Sequence, residues 1–366
     1  MPLIAFDARK YHDFGIGTYI QYLIREYARL RPSGDFLLFV GPEDAETVGF
    51  PAGWKTSIAP YGKYSFGEII LFGRQINTHN VSVFHSPHYT LPFGLKRNSI
   101  VTIHDLIHLR FPQFFSLLQR SYSYGMIWHA THDARFIITD TEFTKRDILQ
   151  SFHVPEEKII PIPLGVSGEF HAKAARSQIE GFRLKYKLER PFILFVGNTK
   201  PHKGLHILFR SFKEVLTLFP DIELVFVGGS LGSDKTLQVL MNRLGLSTKV
   251  KSLGRLSNEE LILAYKNAEM FVLPSLYEGF GLPALEAMAS GVPVVVSDAG
   301  SLPEIVGDAA IICESGNHGM FADAIMSLLR NTALKEEMIV KGEKRSRGFS
   351  WQMTAKKTLE VYDKIM

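Results

Sequence analysis

The feature that most constrains the fold is an alternation of short apolar runs with helical patterns, which occurs twice along the chain. In the first half the apolar runs are LIAFD, FLLFVG, VFHS, SIVTIHD and FIITDT, starting at residues 3, 36, 83, 99 and 136. In the second half they are FILFVG, IELVFVGG, VKSLG, MFVLPS, VPVVVSD and AAIIC, starting at residues 192, 222, 250, 270, 292 and 309. Strands that alternate with helices predict parallel sheets, and near-continuous apolar runs indicate sheets covered on both faces. We therefore predict an α/β protein with two doubly wound, Rossmann-like domains.

A proline-bearing segment, IIPIPLGV at 159–166, separates the two halves. Proline disfavours helix and removes a hydrogen-bond donor from a sheet, so we place the domain boundary there. The prediction is an N-terminal domain over 1–165, a second domain over 166–348, and a C-terminal helix over 349–366 that packs back on the N-terminal domain. Two domains also fit a length of 366 residues.

Composition excludes several classes of protein. No apolar run approaches the ~18 residues of a membrane-spanning helix, and MPLIAFDARK lacks the pattern of an export signal. The single cysteine, Cys313, excludes an internal disulfide, so we expect a cytoplasmic protein. Lysine and arginine are dispersed and the net charge is only +4, which argues against a nucleic-acid partner and leaves a weak attraction to anionic lipid open.

The segment YEGFGLPALEAMASG at 277–291 carries two acids around a glycine-rich turn. Pro283 suits the first position of a helix that runs to about Ser290 and is closed by Gly291, so Glu278 lies in the loop and Glu286 about one turn into the helix. Each carboxylate can accept two hydroxyl groups, and the glycine amides between them can face phosphates. The pattern favours a nucleotide diphospho-sugar. Attraction of acids to a helix N-terminus is the alternative, and it accounts for Glu286 better than for Glu278.

Two further loops combine glycine with a helix start. FGIGTY at 14–19 offers Gly15 and Gly17 to an anion, although Ile20 stands where a dinucleotide fingerprint needs a third glycine. VGNTKPHKGLH at 196–206 places Lys203 where it could hold a phosphate, without the Walker pattern. Taken alone, each loop could equally be a flexible connection or a solvated helix start.

Histidines cluster after two predicted strands, in FHSPHY at 84–89 and TIHDLIHL at 102–109. His85, His88, His104 and Asp105 do not have the spacing of a zinc site, and no D-x-D pair is present for magnesium. We predict no metal and no cofactor, and we interpret His104 as a polar group that lines a cleft between the domains.

Together these motifs resemble the family 4 retaining glycosyltransferases of the GT-B fold, in which two Rossmann-like domains face each other across a cleft. EGFGLPALE matches the family's E-x7-E signature, and GIGTY, IPLGV, PHKG and EAMASGVPVVVSDAGSLPEIVGDAA follow the family's order over nearly the whole chain. HSPHYTLP and TIHDLIHLRFP are most similar to bacterial mannosyltransferases that build cell-surface polysaccharides such as the O-antigens of lipopolysaccharide.

The resemblance implies roles for individual residues. Glu278 would contact the donor sugar, Lys203 the pyrophosphate and His104 the transferred sugar, and these three are the predicted catalytic residues. Glu286 would bind the ribose. The other predicted donor-binding residues are Gly15, Gly17, Asn198, Lys200, Arg255, Leu256, Gly279, Phe280, Gly281 and Leu282. Asn198 and Lys200 lie in the loop where relatives commonly carry an arginine.

The resemblance also implies metal-independent, retaining transfer of mannose from GDP-mannose to a glycan or lipid-linked glycan. A UDP-sugar donor and a non-catalytic sugar-nucleotide-binding homologue remain alternatives, whereas the incomplete glycine fingerprint disfavours an oxidoreductase. The aromatic, basic segment at 110–129 is interpreted as core rather than as a lipid-docking edge, and peripheral contact with the inner membrane stays open.

Overall fold

The computed structural model describes residues 3–31, 35–63, 65–95, 98–229 and 231–366. Met1 and Pro2, which begin the segment without a predicted export signal, lie outside the described residues. The chain divides into two compact units, Met1–Gly165 with Trp351–Met366, and Val166–Ser350. Each unit is an α/β domain around one parallel sheet, which confirms the predicted fold class.

The first unit contains a seven-stranded parallel sheet with strand order β3-β2-β1-β4-β5-β6-β7. The strands are β1 (Ile4–Asp7), β2 (Phe36–Val40), β3 (Lys55–Ile58), β4 (Val83–Ser86), β5 (Asn98–Ile103), β6 (Phe136–Thr139) and β7 (Ile159–Pro161). The helices are α1 (Phe14–Leu30), α2 (Asp44–Thr47), α3 (Phe72–Thr78), α4 (Ile107–Arg110), α5 (Leu117–Asp133) and α6 (Glu142–Ser151). Short helical turns occupy Gly67–Leu71, Pro112–Phe114 and Glu156–Lys158.

The second unit contains a six-stranded parallel sheet with strand order β10-β9-β8-β11-β12-β13. The strands are β8 (Phe192–Gly197), β9 (Glu223–Gly228), β10 (Val250–Gly254), β11 (Met270–Leu273), β12 (Val294–Ser297) and β13 (Ile311–Cys313). The helices are α7 (Gly168–His171), α8 (Arg176–Lys185), α9 (Leu205–Val215), α10 (Lys235–Leu244), α11 (Asn258–Asn267), α12 (Leu282–Ala289), α13 (Leu302–Val306), α14 (His318–Arg330) and α15 (Thr332–Ser346). Pro201–Lys203 and Leu231–Ser233 form single helical turns.

The last helix, α16 (Trp351–Asp363), belongs to the first unit and packs on α1. Trp351 stacks on Tyr22 with ring centroids 4.9 Å apart. The buried hydroxyl of Tyr362 lies 3.0 Å from that of Tyr27 and 2.6 Å from Nδ1 of His85. The chain therefore returns after the second unit to complete the core of the first.

Both sheets have a point at which the strand order reverses, between β1 and β4 in the first unit and between β8 and β11 in the second. Because all the paired strands are parallel, their carboxyl ends share one edge of each sheet. Ligands of doubly wound sheets bind beside such reversal points. The loops after β1 and β4 in the first unit, and those after β8 and β11 in the second, therefore lie where such sheets bind ligands.

Two local expectations were wrong, and one strand was not predicted. Pro161 lies in β7, paired with Thr139, so IIPIPLGV begins as an edge strand, where a missing N–H donor is tolerated. Gly15 and Gly17 lie inside the first turns of α1 rather than in a loop before it. The exposed strand β3 escaped prediction because KTSI is not an apolar run.

The segment at 110–129 is not simply core. Met126 and Ile127 of α5 are buried, whereas Leu117 and Leu118 are 75% and 84% exposed and Tyr124 and Trp128 are half exposed. No helix among the described residues is both long enough and apolar enough to cross a membrane.

Candidate functional site

The loop after β8 brings Lys203 to the edge of the second sheet. Pro201–Lys203 form a single turn that ends at Gly204, whose φ of +69° favours glycine. A Cβ at Gly204 would lie 2.0 Å from the carbonyl oxygen of Pro274, which follows β11. Glycine at 204 thus permits close contact between the loops after β8 and β11.

Glu278 is paired directly with Lys203 across this contact. Nζ of Lys203 donates to both carboxylate oxygens of Glu278, at 2.8 and 3.0 Å, and Oγ of Ser275 donates to Oε1 at 2.6 Å. Both charged side chains are largely buried. The two residues predicted to hold different parts of one ligand therefore form a single charged unit.

The backbone of Glu278 is held as firmly as its side chain. Its carbonyl oxygen accepts hydrogen bonds from the backbone N–H of Ser301 at 3.1 Å and from Oγ of Ser301 at 3.0 Å. Gly300 packs so closely that a Cβ there would lie 2.4 Å from the same oxygen. The loop after β12 therefore fixes the position of the acid.

The helix that carries the second acid begins at this loop. Gly281, with φ +95°, is the N-cap of α12 and offers no side chain to cap it, and Pro283 occupies the second helical position rather than the predicted first. First-turn N–H groups of a helix attract negative charge. The turn from Gly279 to Leu282 thus joins Glu278 to a helix N-terminus suited to phosphate.

Glu286 lies in the second turn of α12 and accepts a hydrogen bond at 2.9 Å from the hydroxyl of Tyr265 on α11. Burial raises the pKa of Glu286 to about 7, although the hydrogen bond from Tyr265 acts in the opposite direction. The second acid therefore changes its charge near neutral pH.

The other predicted donor residues surround the same edge of the sheet. Oδ1 of Asn198 accepts a hydrogen bond at 3.0 Å from the backbone N–H of Lys200, whose side chain is exposed. Arg255 is exposed and Leu256 half-buried directly after β10. β10 is an outermost strand of the sheet and is separated from β8 by β9. Arg255 and Leu256 therefore follow a strand that lies farther from the reversal point than β8 and β11, which precede Lys203 and Glu278.

The predicted residues of the first unit follow β1 and β5. A Cβ at Gly17 would lie 2.5 Å from the carbonyl oxygen of Tyr11, whereas a Cβ at Gly15 would meet nothing within 4 Å. His104 lies just beyond β5, with Nδ1 2.8 Å from Oδ2 of Asp140 and Nε2 3.1 Å from the carbonyl oxygen of Pro87. Close packing thus explains the glycine at 17 but not the glycine at 15.

The histidines of the first unit have separate partners. His85 contacts Tyr362 and Thr102, while Lys10 donates to Nδ1 of His88 at 3.2 Å. Burial lowers the pKa of His85 to about 3 and that of His88 well below its ordinary value. Among the described residues no group of three or more histidine, cysteine, aspartate or glutamate side chains is arranged to hold a metal ion.

Several site residues escaped sequence reasoning, namely Ser275, Ser301, Tyr265 and Asp140. Ser275 lies three residues before Glu278, a spacing that could have suggested it. The other three come from separate loops or helices, and their contacts depend on which strands are neighbours in the sheet.

Two family models match the chain. One, described as "Glycosyltransferase Family 4", matches residues 15–170, and the other, described as "Glycosyl transferases group 1", matches residues 178–345. Between them they cover most of both units.

Individual relatives are similar at modest identity. The chain is 26% identical to the O-antigen chain mannosyltransferase B of Escherichia coli, with 98% of each chain covered. It is 30% identical to the O-antigen chain mannosyltransferase RfbU of Salmonella typhimurium over 59% of this chain and 56% of that one. The crystal structure of Anabaena HepE in complex with UDP and glucose has a TM-score of 0.80 at 19% identity, with 100% of each chain covered, which shows the shared fold.

Proposed function

We propose that the chain, which belongs to glycosyltransferase family 4, transfers mannose from GDP-mannose to a hydroxyl group of a glycan or lipid-linked glycan, with retention and without a metal ion. The observation that carries the proposal is the Lys203–Glu278 pair beside the reversal point of the second sheet. Lys203 is a cation that can hold phosphate, and Glu278 beside it is an anion that can hold sugar hydroxyls. The two side chains therefore match the adjacent phosphate and sugar groups of a nucleotide sugar.

In the proposed complex the donor lies along the segment from Glu278 to Glu286. Sugar hydroxyls donate to Glu278, the pyrophosphate lies between Nζ of Lys203 and the first-turn amides of α12, and the ribose hydroxyls donate to Glu286. Backbone near Arg255 and Leu256 contacts the base. The close packing of Gly204, Gly281 and Gly300 supports this arrangement, because it fixes the acids before the ligand arrives.

The reaction is front-face attack. The acceptor hydroxyl oxygen forms a bond to the anomeric carbon while the bond from that carbon to the phosphate oxygen breaks, and the phosphate oxygen takes the acceptor's proton. Glu278 is a poor nucleophile for a covalent route, since its oxygens already accept hydrogen bonds from Lys203 and Ser275. Its task is to hold the sugar.

Departure of the diphosphate is the step that needs stabilisation. In the proposal Lys203 and the N-terminus of α12 meet the developing negative charge, and exposed Lys200 adds a second positive charge beside Asn198. A lysine is a point charge rather than the bidentate fork of an arginine. Lys203 therefore carries a larger share of the stabilisation than it would beside an arginine.

The family resemblance also assigns roles to residues of the first unit. It assigns Gly15 and Gly17, at the start of α1, to the pyrophosphate and His104 to the transferred sugar. The open space around Gly15 supports this role, since nothing within its own surroundings requires a glycine there.

A thermal-shift panel tests the donor. GDP-mannose should raise the melting temperature more than UDP-glucose or ADP-glucose at equal concentration, since a ligand at 100 times its Kd adds ~2.7 kcal/mol of stability. The names of the mannosyltransferase relatives favour mannose as the sugar without indicating the nucleotide, and the UDP and glucose bound to HepE are the reason to include a UDP-sugar in the panel. A larger shift with a UDP-sugar would replace the mannose assignment and leave the glycosyltransferase assignment standing.

Slow hydrolysis of the preferred donor without acceptor separates an enzyme from a non-catalytic binder. We expect wild type to release the sugar and Glu278→Ala to lose that activity. EDTA should leave the rate unchanged. Binding without any hydrolysis or transfer would favour the non-catalytic homologue, and loss of activity in EDTA would contradict the metal-free mechanism.

The exposed face of α5 supports peripheral contact of this enzyme with the inner membrane, where a lipid-linked acceptor would lie. Leu117, Leu118, Tyr124 and Trp128 are apolar or amphipathic and exposed. In a flotation experiment with anionic liposomes, wild type should be found in the liposome fraction. The double variant Leu117→Ser/Leu118→Ser should not. Leu184→Ser is the matched control, because Leu184 is 82% exposed on α8 of the second unit. Equal flotation of all three proteins would remove α5 as the contact.

A further inference from the structure

His104 and Asp140 occupy equivalent places on neighbouring strands. β5 and β6 are parallel, with Ile103 opposite Thr139, so His104 and Asp140 are the next residue on each strand. Pro87 follows β4, the neighbour of β5 on its other side. The imidazole of His104 thus lies between the loops after β4 and β6.

Both ring nitrogens of His104 face acceptors. Nδ1 lies 2.8 Å from a carboxylate oxygen of Asp140, and Nε2 lies 3.1 Å from the carbonyl oxygen of Pro87. A neutral imidazole has one N–H and one lone pair, so either tautomer would direct a lone pair at an acceptor. While Asp140 is ionised, only a ring with a proton on each nitrogen satisfies both contacts.

The surroundings favour this extra proton. Oδ1 of Asp140 is buried and accepts no hydrogen bond within the described parts of the chain, so His104 is the main compensation for its carboxylate. Tyr19 packs edge-on against the imidazole with ring centroids 5.1 Å apart, and its hydroxyl is directed to Thr102.

Charges near His104 act in both directions. Burial lowers the pKa of His104, but the charge and hydrogen bond of Asp140, the charge of Asp105 and the Pro87 carbonyl outweigh it, so that the pKa is raised. Burial raises the pKa of Asp140 as well, which keeps a proton in the pair. The nearby histidines His85 and His88 have lowered pKa values and are neutral.

We propose that Asp140 is a positioning residue that keeps both ring nitrogens of His104 protonated, so that the ring has no lone pair with which to act as a general base and can offer the sugar only the N–H on Nε2, which otherwise donates to the Pro87 carbonyl. The protonated ring also ties the loops after β4, β5 and β6 together. The link to catalysis rests on the proposed contact of His104 with the sugar, whereas the protonation state does not.

Nitrogen NMR of the full chain with ¹⁵N-labelled histidine tests the protonation state. The His104 signals are assigned by their loss in His104→Gln. In wild type we expect both ring nitrogens to carry protons at neutral pH and the ring to titrate above the ~6.5 of an unperturbed histidine. A neutral wild-type ring with a single tautomer at neutral pH would overturn the proposal, even if no variant of Asp140 folds.

Asp140→Asn keeps an oxygen that can accept from Nδ1 and removes the charge. The titration of His104 should fall by about 1–3 pKa units, the usual effect of losing an adjacent opposite charge. Asp105→Asn is the matched control, since Oδ1 of Asp105 accepts from the backbone N–H of Ile107, and the shift should be smaller. An unchanged titration in Asp140→Asn, or an equal shift in both variants, would refute the role of Asp140.

The pH profile of sugar transfer connects this state to function. The alkaline limb of kcat should follow the titration of His104 and move to lower pH in Asp140→Asn by the shift seen in the NMR experiment. If the alkaline limb of kcat does not coincide with the titration of His104, His104 does not act as a hydrogen-bond donor in the reaction. If no nucleotide sugar is turned over at all, the proposed function fails while the NMR result still decides the protonation state.

Discussion

Lys203 and Glu278 are held to each other by two hydrogen bonds, so removing either side chain changes the surroundings of the other. We expect Lys203→Ala and Glu278→Ala each to lower kcat/KM by about 10²–10³, the usual effect of losing one preorganised group that stabilises a transition state. Because the residues act as one unit, the double variant should lose little more than either single variant. Steady-state kinetics with the preferred donor measure all three.

Lys213→Ala is the control for this cycle, since Lys213 is an exposed lysine on α9, the helix that follows Lys203. It should retain normal turnover, and circular dichroism should show intact folds for all variants. Fully additive losses would mean that the hydrogen bonds between Lys203 and Glu278 contribute nothing to turnover, and that each side chain acts separately on its own part of the donor.

Alanine substitutions at Gly15 and Gly17 should change the stability of the protein in opposite directions, although both residues lie in the first turns of α1. Alanine at 15 meets no atom within 4 Å and favours helix, so Gly15→Ala should stabilise the protein by up to ~1 kcal/mol while weakening donor turnover. Alanine at 17 collides with the Tyr11 carbonyl, so Gly17→Ala should lower the melting temperature. Denaturant melts and donor KM values separate the two effects. Normal donor kinetics in Gly15→Ala would remove Gly15 from the proposed donor site.

At this scale the sequence indicated which residues matter but not how they pair. Lys203 and Glu278 each follow an apolar run, which is visible in the sequence, whereas their contact requires β8 and β11 to be adjacent. The crossover that makes them neighbours passes through β9 and β10. The Asp140 contact with His104 depends in the same way on the pairing of β5 with β6.

Among the secondary-structure elements, α11 and α12 determine how the second acid responds to pH. With the pKa of Glu286 raised to about 7, the carboxyl is mostly protonated below that pH and cannot accept from both ribose hydroxyls. Donor affinity should therefore fall about tenfold from about pH 8 to about pH 6. Isothermal titration with a nucleotide sugar measures this.

Two variants isolate the effect of Glu286. Glu286→Gln should bind weakly with little dependence on pH. Tyr265→Phe removes the hydrogen bond that lowers the pKa of Glu286, so the fall in affinity should begin at higher pH. Folding raises the pKa of this carboxyl from its ordinary value of 4.5 to about 7. Between these two pH values the folded state therefore binds more protons than the unfolded state. As a result, the contribution of Glu286 to the free energy of unfolding decreases as the pH rises from about 4.5 to about 7. A flat affinity profile in wild type would contradict the assignment of Glu286 to the ribose.

Strands buried on both faces were predictable, because their apolar runs leave few other conformations compatible with burial. The misses lie at sheet edges and helix starts. β3 is exposed and polar, β7 contains Pro161, and α1 begins at Phe14 despite two glycines in its first turns. In each case sheet pairing or tertiary packing outweighed local propensity, which a single sequence does not display.

In the molecule as a whole, α16 follows the second unit in the chain but belongs to the core of the first. A substitution in this last helix should therefore destabilise the first unit alone. Tyr362 is fully buried there, and its hydroxyl contacts Tyr27 and His85. Tyr362→Ala should destabilise the first unit by about 3–5 kcal/mol through a cavity. Tyr362→Phe should cost about 1–3 kcal/mol, because it leaves buried polar partners without a hydrogen bond.

Hydrogen exchange measured by mass spectrometry locates the damage. In Tyr362→Ala, peptides from β1 and β4 should lose protection while peptides from β8 and β11 keep it. Binding of GDP, the nucleotide of the proposed donor, should persist. Lys356→Ala, an exposed change on the same helix, should leave exchange unchanged in both units. Equal loss of protection in all four strands would show instead that the two units unfold as one cooperative body, and α16 would then stabilise the whole chain.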